Sequence, residues 1–381
     1  MSRNSVRRCT SAIVVALCGL WSACASAQEL GWKPEKTWVI AVGVLEWKAS
    51  KLYGGFPKEG RRDAELVEFF RKHGVPEEQV VFLEDKQATL AHIDKAFDDV
   101  LPKTKENDLL IIYYAGHGTR VKDATYFANY DITAKTEETG WSAASIIDAV
   151  EANFHGSRVL LAADCCYSGG LGVEAAKRKG KIEYAVLTSV QPTCESTGNW
   201  TFTESLLQGL NGDPAVDLDG DGRVTLAELA RYTETRMAFD EEQLSYFSTA
   251  NGFDAKTLLA VAAGKPKRPG EGAPADDRVE VEWHDEWWHA HILAVKDGKT
   301  LIRYGGYGPE WNEWVGPDRI RAYKPPPEFA AGVAVQVEWG GKWWPAKVLE
   351  GRLGLHKVHY DDYGDEWDEW VGPKRIKPVK E

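Results

Sequence analysis

An ungapped internal repeat occupies the C-terminal hundred residues and limits what this part of the chain can fold into. Residues 279–321 align with residues 335–377 at a constant offset of 56, and 21 of the 43 aligned positions are identical. Each copy contains short runs in which apolar and polar residues alternate, which is the pattern of half-buried β-strands. Two copies of one pattern predict two small all-β units with the same fold. We place them at residues 279–323 and 335–379, joined by a linker at 324–334.

The preceding region, residues 36–263, alternates strand-like and helix-like segments. Continuous apolar runs at Trp38–Val44, Leu109–Tyr114 and Val159–Ala163 predict buried strands, and amphipathic segments between them predict helices. This alternation predicts an α/β domain with a mainly parallel sheet and helices on both faces. Ligands of such sheets bind beyond the carboxyl ends of the strands. A linker rich in Pro and Gly, at 264–278, separates this domain from the repeats.

Two of these predicted strands end in residues that carry chemistry. One runs into Gly116-His117-Gly118, and the other runs into Asp164-Cys165-Cys166. If the strands are neighbours, His117 and Cys166 emerge side by side, where a thiolate attacks a carbonyl and an imidazole moves the protons. The backbone amides of Gly118 and Cys166 could then form an oxyanion hole. The alternative is a buried core cysteine and a histidine in a glycine turn.

Together the two motifs resemble the caspase–metacaspase–legumain group of cysteine peptidases. Residues 164–169 are similar to the metacaspase pattern Asp-x-Cys-His-Ser-Gly, with Tyr167 in place of the histidine. The resemblance covers roughly residues 36–263 and implies a caspase-like fold and hydrolysis of peptide bonds. It also implies that Cys166 is the nucleophile, that His117 is the general base and acid, and that Cys165 is a wall residue. The tyrosine favours a broader bacterial caspase-like relative over a close metacaspase.

The same resemblance implies which residues select the substrate. Asp63 and Asp164 match two carboxylates that line the primary pocket of the family and bind Arg or Lys through charge-assisted hydrogen bonds. Ser189, at the end of the next predicted strand, is a further candidate for this pocket. The alternative for Asp63 is a residue at a helix start that stabilises the helix dipole. We therefore expect a protein or peptide substrate with basic residues.

An acidic segment, residues 217–228, fits the EF-hand calcium loop. Oxygen ligands fall at positions 1, 3, 5, 9 and 12, with glycine at position 6 and a backbone carbonyl at position 7. A single loop of this kind favours structural calcium over a calcium sensor. The alternative is an acidic turn that caps the following helix. The expected ligand residues are Asp217, Asp219, Asp221, Arg223, Thr225 and Glu228.

The two repeats resemble Tudor-knot and chromo-barrel modules, which are small SH3-like barrels. The stretches at 359–363 and 367–371 are similar to their pattern His-Tyr-x-Gly-Trp followed by Trp-Asp-Glu-Trp-Val. In chromo-barrels an aromatic cage binds a methylated lysine by cation–π attraction. The resemblance therefore implies a cationic ligand, and the alternative is aromatic packing within the barrel. For an exported chain, a cationic peptide or a cell-surface polymer is the expected ligand. The implied cage residues are Trp288, Tyr304, Tyr307 and Trp311 in the first copy and Trp344, Tyr360, Tyr363 and Trp367 in the second.

Residues 1–27 predict an export signal. Arg3, Arg7 and Arg8 precede an apolar run at Ala12–Leu20, and the small residues at 25–27 offer a cleavage site. The apolar run is too short to span a bilayer comfortably, so we expect no membrane span after removal of the signal. The expected location is the periplasm or the medium. A lipid anchor on Cys24 is the alternative.

Charge and cysteine content restrict the remaining function classes. The chain has a formal net charge of −12, which argues against a nucleic-acid partner because phosphates require Lys and Arg. After the signal, only Cys165, Cys166 and Cys194 remain, too few for a disulfide framework. We predict an exported cysteine endopeptidase that cleaves after Arg or Lys and carries two binding modules. The alternatives are a catalytically inactive caspase-like scaffold whose barrels bind a ligand, and a thiol amidase of the envelope.

Overall fold

The computed structural model describes residues 30–264 and 277–379. The predicted signal peptide at 1–27 and nearly all of the linker at 264–278 lie outside the described residues. Among the helices of the described ranges, none is long and apolar enough to cross a membrane.

The first described range, residues 30–264, alternates strands and helices. Its strands are β1 Thr37–Gly43, β2 Val80–Glu84, β3 Leu109–Ala115, β4 Gly118–Val121, β5 Ala124–Phe127, β6 Trp141–Ser142, β7 Arg158–Asp164, β8 Glu183–Thr188, β9 Arg223–Thr225, β10 Tyr246–Ala250 and β11 Leu258–Val261. Its α-helices are α1 Arg62–Lys72, α2 Leu90–Val100, α3 Thr136–Thr139, α4 Ala143–Asn153, α5 Gly170–Lys177, α6 Thr201–Leu210 and α7 Leu226–Asp240.

Six of these strands form a central sheet in the order β10-β8-β7-β3-β1-β2. Neighbouring strands are parallel, except that β10 runs antiparallel to β8 at the edge. Successive side chains of a strand point to opposite faces, so Ile40 and Ile112 pack in the core formed with α2, α4 and α5. Val39 and Ile111 pack in the opposite core, formed with α1, α6 and α7. The predicted α/β domain, a mainly parallel sheet with helices on both faces, is confirmed.

A separate two-stranded ribbon joins the beginning and the end of this domain. Strand β9, at the end of the acidic loop, pairs with β11. The backbone N–H of Gly31 donates to the carbonyl of Leu258 at 2.7 Å, and Trp32 Nε1 donates to the carbonyl of Leu259 at 2.9 Å. The Trp32 ring is buried against α1, so the first described residues are part of the folded domain.

The second described range, residues 277–379, consists of two five-stranded antiparallel sheets, each a small domain that we call the first or the second barrel. The first has the strand order β15-β14-β13-β12-β16 and the second β20-β19-β18-β17-β21. The first barrel contains β12 Arg278–Trp283, β13 Glu286–Lys296, β14 Lys299–Tyr304, β15 Glu313–Val315 and β16 Ile320–Ala322. The second barrel contains β17 Ala334–Trp339, β18 Lys342–Arg352, β19 Leu355–Tyr360, β20 Glu369–Val371 and β21 Ile376–Pro378.

The two barrels bury the same positions of the repeat. Val279 pairs with Ala290 in the first barrel, and Val335 pairs with Ala346 in the second, each at the offset of 56. The predicted pair of small all-β domains is therefore confirmed. The first core is built from Val279, Val281, Ala290, Ile292, Ile302, Tyr304 and Val315, and the second from Val335, Val337, Ala346, Val348, Val358, Tyr360 and Val371, with Ile376 added.

Candidate active site

The carboxyl ends of β3 and β7 lie side by side at one edge of the central sheet. Their parallel register pairs Ala115 with Asp164, the last residue of each strand. His117 and Cys166 each follow this pair by two residues. A Cβ atom on Gly118 would lie 1.9 Å from the carbonyl oxygen of Cys166, so the two loops touch and only glycine fits at this position. The strand pairing thus brings the histidine motif and the cysteine motif to the same point.

The two adjacent cysteines of the motif differ in exposure. Cys165 is 3% exposed and packs in the apolar core, and burial raises its thiol pKa well above the ordinary value. Cys166 is half-buried, and its Sγ accepts a hydrogen bond from the backbone N–H of Ser196 at 3.2 Å. Burial also raises the pKa of the Cys166 thiol, so this group is protonated near pH 7. Of the two thiols, that of Cys166 is the one that a substrate can reach.

The His117 imidazole is held by the segment between β1 and α1. Its Nε2 lies 2.9 Å from the carbonyl oxygen of Gly54. A carbonyl only accepts hydrogen bonds, so Nε2 carries a proton and Nδ1 keeps the lone pair of the neutral ring. The rings of Trp47 and Phe56 lie with their centroids 4.6 Å from that of the imidazole. Burial lowers the pKa of His117, so the ring is neutral near pH 7.

The sequence gives little indication of this histidine-binding segment. Gly54 is separated from His117 by 63 positions, and no motif connects the two. The adjacent Gly54 and Gly55, between aromatic residues, are the only local signal.

A cavity of about 520 Å³ opens at the same edge of the sheet, and Asp164 lies in its wall. Asp164 is 9% exposed, and its Oδ2 accepts hydrogen bonds from the Thr203 hydroxyl at 2.6 Å and the Thr203 N–H at 3.3 Å. Burial raises the pKa of Asp164 to about 7, although the bonds from Thr203 oppose the shift. The wall contains four carboxylates against two guanidinium groups, those of Arg62 and Arg303, so it suits a positively charged group. Further carboxylates in it are those of Glu59 and Glu310, and that of Glu204, which is paired with Arg62 and Arg303.

Asp63 lies in a different environment from the one that the family resemblance implied. Its carboxylate is fully buried and accepts hydrogen bonds from Nη2 and Nε of Arg61, at 2.6 and 2.8 Å. It also accepts a hydrogen bond from the backbone N–H of Ala64 at 2.8 Å, in the first turn of α1. An internal ion pair already neutralises this charge. A direct contact between Asp63 and a substrate therefore requires that Arg61 moves away.

Ser189 supports the cysteine loop from inside the protein. It is fully buried, and its hydroxyl accepts from the N–H of Cys165 at 3.1 Å and donates to the Cys165 carbonyl at 3.3 Å. The hydroxyl of Ser196 donates to it at 3.1 Å, and the N–H of that same Ser196 bonds the Sγ of Cys166. Ser189 therefore positions the loop that contains Cys165 and Cys166, whereas the sequence suggested that it lines the substrate pocket.

The acidic loop at 217–228 connects α6 to α7 and gathers carboxylates around one point. Single oxygens of Asp217, Asp219 and Asp221 lie within 4.8 Å of one another. The N–H groups of Gly220 and Gly222 each donate to Asp217 at 2.9 Å, and both glycines have left-handed φ angles, of 75° and 85°. Such a set of oxygen donors in a tight turn fits a calcium ion.

The last residues of the loop have a second role. Thr225 and Glu228 form a capping box at the start of α7, with the Thr225 N–H donating to Glu228 at 2.9 Å. The other oxygen of Glu228 accepts from the N–H of Leu218 at 3.0 Å, which turns it toward the loop. Arg223, the expected carbonyl ligand, begins β9. In this geometry Thr225 and Glu228 can therefore cap α7 and also serve as calcium ligands.

The predicted cage residues meet in each barrel as a cluster of perpendicular rings. We call Trp288, Tyr307 and Trp311 the first aromatic cluster, and Trp344, Tyr363 and Trp367 the second. Neighbouring rings within each cluster have centroids 6.0 to 6.1 Å apart. In both copies the tyrosine and the last tryptophan are at least 39% exposed, so each cluster can contact a ligand.

Tyr304 and Tyr360 are core residues at the base of the clusters. Each is 7% exposed, and each hydroxyl donates to a glutamate of the same barrel, at 2.7 and 2.6 Å. For these two residues the packing alternative describes the structure better. Trp283 and Trp339, which were not among the predicted cage residues, also contact the clusters. Their ring centroids lie 6.2 Å from those of Trp311 and Trp367, respectively. Their signal was the Val-x-Val-Glu-Trp shared by both copies.

The family model of the caspase domain, Peptidase_C14, matches residues 59–264. This match covers more than half of the chain, so the chain belongs to the caspase-domain family. The model of the Agenet domain matches residues 276–327 and 335–381. The two C-terminal barrels are therefore Agenet domains, which are Tudor-like.

Two curated relatives are metacaspases of Arabidopsis thaliana. The chain is 28% identical to Metacaspase-7 over 142 residues, which are 33% of this chain and 32% of that protein. It is 25% identical to Metacaspase-4 over 158 residues, which are 37% of this chain and 36% of that protein. The chain spans about a third of the length of the curated relatives it matches.

Two solved structures are similar to portions of this chain. Protein GSU0716 from Geobacter sulfurreducens is 17% identical, with a TM-score of 0.42, and the match covers 60% of this chain and 99% of that one. The AGD34 part of AGDP1 from Arabidopsis thaliana is 21% identical, with a TM-score of 0.14, and the match covers 28% of this chain and 82% of that one.

The protonation states at this site predict how Cys166 reacts with iodoacetamide. The reagent attacks the thiolate, and the pKa of Cys166 is raised while that of His117 is lowered. We expect the alkylation rate to keep rising through pH 8.5 without a plateau between pH 6 and 8. The measurement is the mass-resolved labelling rate in a Cys194→Ser background, with Cys166→Ala as the unlabelled control. A plateau from pH 6 upward would reveal a thiolate–imidazolium pair in place of the neutral pair.

Proposed function

We propose that this chain is an exported cysteine endopeptidase with Cys166 as nucleophile and His117 as general base and acid. The observation that carries the proposal is the pairing of Ala115 with Asp164, which puts the half-exposed Cys166 and the oriented His117 at one sheet edge. Membership in the caspase-domain family supports a cysteine peptidase. The predicted signal peptide supports export.

In the proposed reaction, the neutral His117 imidazole takes up the proton of the Cys166 thiol. The Nδ1 lone pair of His117 accepts the Cys166 proton as Sγ adds to the substrate carbonyl carbon. The N–H groups of Cys166 and Gly118 are the proposed donors to the oxyanion. The C–N bond then breaks, and the imidazolium gives its proton to the leaving amine. Water, deprotonated by the same Nδ1, hydrolyses the thioester and restores the thiol.

The proposed specificity is for Arg or Lys before the cleaved bond. Asp164 supplies a carboxylate in the cavity wall beside the nucleophile loop, and Glu59 and Glu310 add negative charge. A guanidinium or ammonium group would satisfy the buried Asp164 carboxylate by charge-assisted hydrogen bonds. Asp63 contributes to this preference only indirectly, because Arg61 already pairs with it.

The dyad is tested by peptide cleavage with matched variants. Cys166→Ala and His117→Ala should each reduce kcat/KM for arginine peptides at least about 10³-fold, because nucleophile and base act as one unit. Cys165→Ala, which removes only a buried thiol, should keep activity within about threefold. Fluorogenic peptides with Arg, Lys, Asp or Asn before the bond measure both rate and preference. Equal loss in both cysteine variants, with unchanged circular dichroism, would contradict the assignment.

The scaffold and amidase alternatives give different outcomes in this assay. A caspase-like scaffold would cleave none of the peptides although Cys166 is still alkylated. An amidase would release ammonia or an amine from non-peptide amides and leave the peptides intact. Either result would replace the endopeptidase proposal.

The pKa of Asp164 predicts a pH dependence of substrate binding. Asp164 must be ionised to pair with arginine, and its pKa of about 7 leaves it mostly protonated at pH 6 and mostly ionised at pH 8. An arginine peptide should therefore bind the Cys166→Ala chain about tenfold more tightly at pH 8 than at pH 6, and binding at pH 6 should release about one proton. Titration calorimetry in two buffers measures both quantities. With Asp164→Asn added, the chain should bind the peptide weakly and with the same affinity at both pH values. A pH-independent affinity in the Cys166→Ala chain itself would exclude Asp164 as the group that binds arginine.

We also propose that the loop at 217–228 binds calcium, held by Asp217, Asp219, Asp221, Thr225, Glu228 and the carbonyl of Arg223. When bound, the ion supplies charge neutralisation and a rigid connection between α6, β9 and α7. The convergence of three carboxylates within 4.8 Å supports this proposal.

Calcium should raise the thermal stability of the full chain. Because a ligand of the folded state stabilises by mass action, a calcium concentration near 100 times Kd should add about 2.7 kcal/mol to the unfolding free energy. Asp217→Ala combined with Asp219→Ala should abolish the increase, whereas Asp98→Ala, an exposed carboxylate on α2, should preserve it. Melting with calcium, magnesium and chelator provides the comparison. Equal melting temperatures with calcium and chelator would exclude the site.

A further inference from the structure

The first Agenet domain is attached to the peptidase domain by charged and aromatic contacts. Arg303 on β14 pairs with Glu204 on α6, and Glu204 also pairs with Arg236 at 2.8 Å. His291 on β13 lies 2.8 Å from the buried carboxylate of Asp240 at the end of α7. The His289 ring stacks on Phe239, with centroids 4.5 Å apart. These contacts hold the domain in one orientation.

Two glycines let the first barrel approach the peptidase closely. A Cβ atom on Gly305 would lie 2.8 Å from Oδ1 of Asp240, and one on Gly306 would lie 2.7 Å from Nδ2 of Asn199. Gly306 also has a left-handed φ of 74°. Larger side chains at these positions would push the domain away from α7 and from the cavity edge.

The second copy of the repeat contacts the peptidase through different residues, with Arg352 paired to Glu234 and Leu355 packed against Ala238 and Leu244. At the equivalent positions it has other residues at every contact named above, although about half of all aligned positions are identical. By contrast, the three residues of each aromatic cluster are the same in both copies. The first copy is thus distinguished by the residues that fix it to the peptidase. The substitutions, first copy to second, are His289 to Pro345, His291 to Lys347, Arg303 to His359, Gly305 to Asp361 and Gly306 to Asp362.

The attachment puts part of the first aromatic cluster into the wall of the cavity that contains Asp164. Tyr307 and Trp311 line this cavity together with Gly116 and Asp164 from the ends of β3 and β7. Their rings are 39% and 50% exposed and stand at 68° to each other, with centroids 6.0 Å apart. The cavity therefore combines a carboxylate from the peptidase with two aromatic faces from a different domain.

We propose that the first Agenet domain is a fixed part of the peptidase substrate site, in which Tyr307 and Trp311 bind the basic side chain that reaches Asp164. The inference rests on the proposed function and adds two specificity-determining residues to it. An arginine or lysine side chain has an apolar stem and a cationic head. The stem packs on aromatic rings, and the head is attracted to their faces, while the carboxylate accepts its N–H groups.

The test uses single substitutions in the full chain. Tyr307→Ala and Trp311→Ala should each raise KM for arginine peptides about tenfold and leave kcat within about twofold, because they remove binding and spare the reacting groups. Tyr307→Phe, which keeps the aromatic face, should retain wild-type KM. Trp314→Ala is the matched control, because Trp314 is in the same barrel and 43% exposed but does not line the cavity. Unchanged alkylation of Cys166 and unchanged circular dichroism show that the catalytic loop and the fold are intact.

Binding of an arginine peptide to the Cys166→Ala chain separates failure of this inference from failure of the proposed function. If the wild type cleaves no peptide, yet Tyr307→Ala in the Cys166→Ala chain weakens peptide binding tenfold relative to Trp314→Ala, the composite site stands and the endopeptidase activity does not. If Tyr307→Ala and Trp311→Ala match the Trp314→Ala control in KM and affinity, the aromatic wall is not used. A rise in kcat/KM in the alanine variants would show that the barrel obstructs the cavity, which also overturns the proposal.

Discussion

The in-register pairing of β3 with β7 is the constraint on which the rest of the site depends. Both strands are nearly completely buried, so their register is set by packing on two faces of the sheet. A shift by one residue would move the cysteine loop about 3.3 Å along the sheet and reverse the faces of every side chain on β7. It would also remove Asp164 from the cavity and bring Gly118 out of contact with the Cys166 carbonyl.

Burial sets the resting protonation states of His117 and Cys166. Aromatic rings around His117 keep the imidazole neutral, and the enclosed loop around Cys166 keeps the thiol protonated. A protonated thiol is a poor nucleophile and is oxidised slowly. This matters for a protein that has a half-exposed cysteine and is proposed to work outside the reducing cytoplasm. A protonated thiol of this kind resists oxidation and, in the proposed mechanism, still attacks a bound carbonyl.

The sequence predicted features that depend on local pattern and missed those that depend on distant contacts. Strand ends, the acidic loop and the repeated barrels follow from periodicity, spacing and self-similarity, and they appear where expected. The Gly54 carbonyl that orients His117, the buried hydroxyl of Ser189 and the pairing of Asp63 with Arg61 depend on side-chain directions that sequence spacing does not fix. Arg61 lies only two residues from Asp63 and binds it, yet the family resemblance implied a role for the carboxylate alone.

The ribbon that joins the beginning and the end of the peptidase domain has a consequence for the order of folding. Trp32 and Leu259 are 227 residues apart in sequence but are hydrogen-bonded in the structure. A chain that crosses a membrane from its N-terminus presents Gly31 and Trp32 first and β11 last. Its first segment therefore has no permanent partner until almost the whole domain has followed, and closure of so long a loop is slow. On the proposed route of export, the peptidase domain completes its fold only after β11 has crossed the membrane, when the chain already continues into the linker and the barrels.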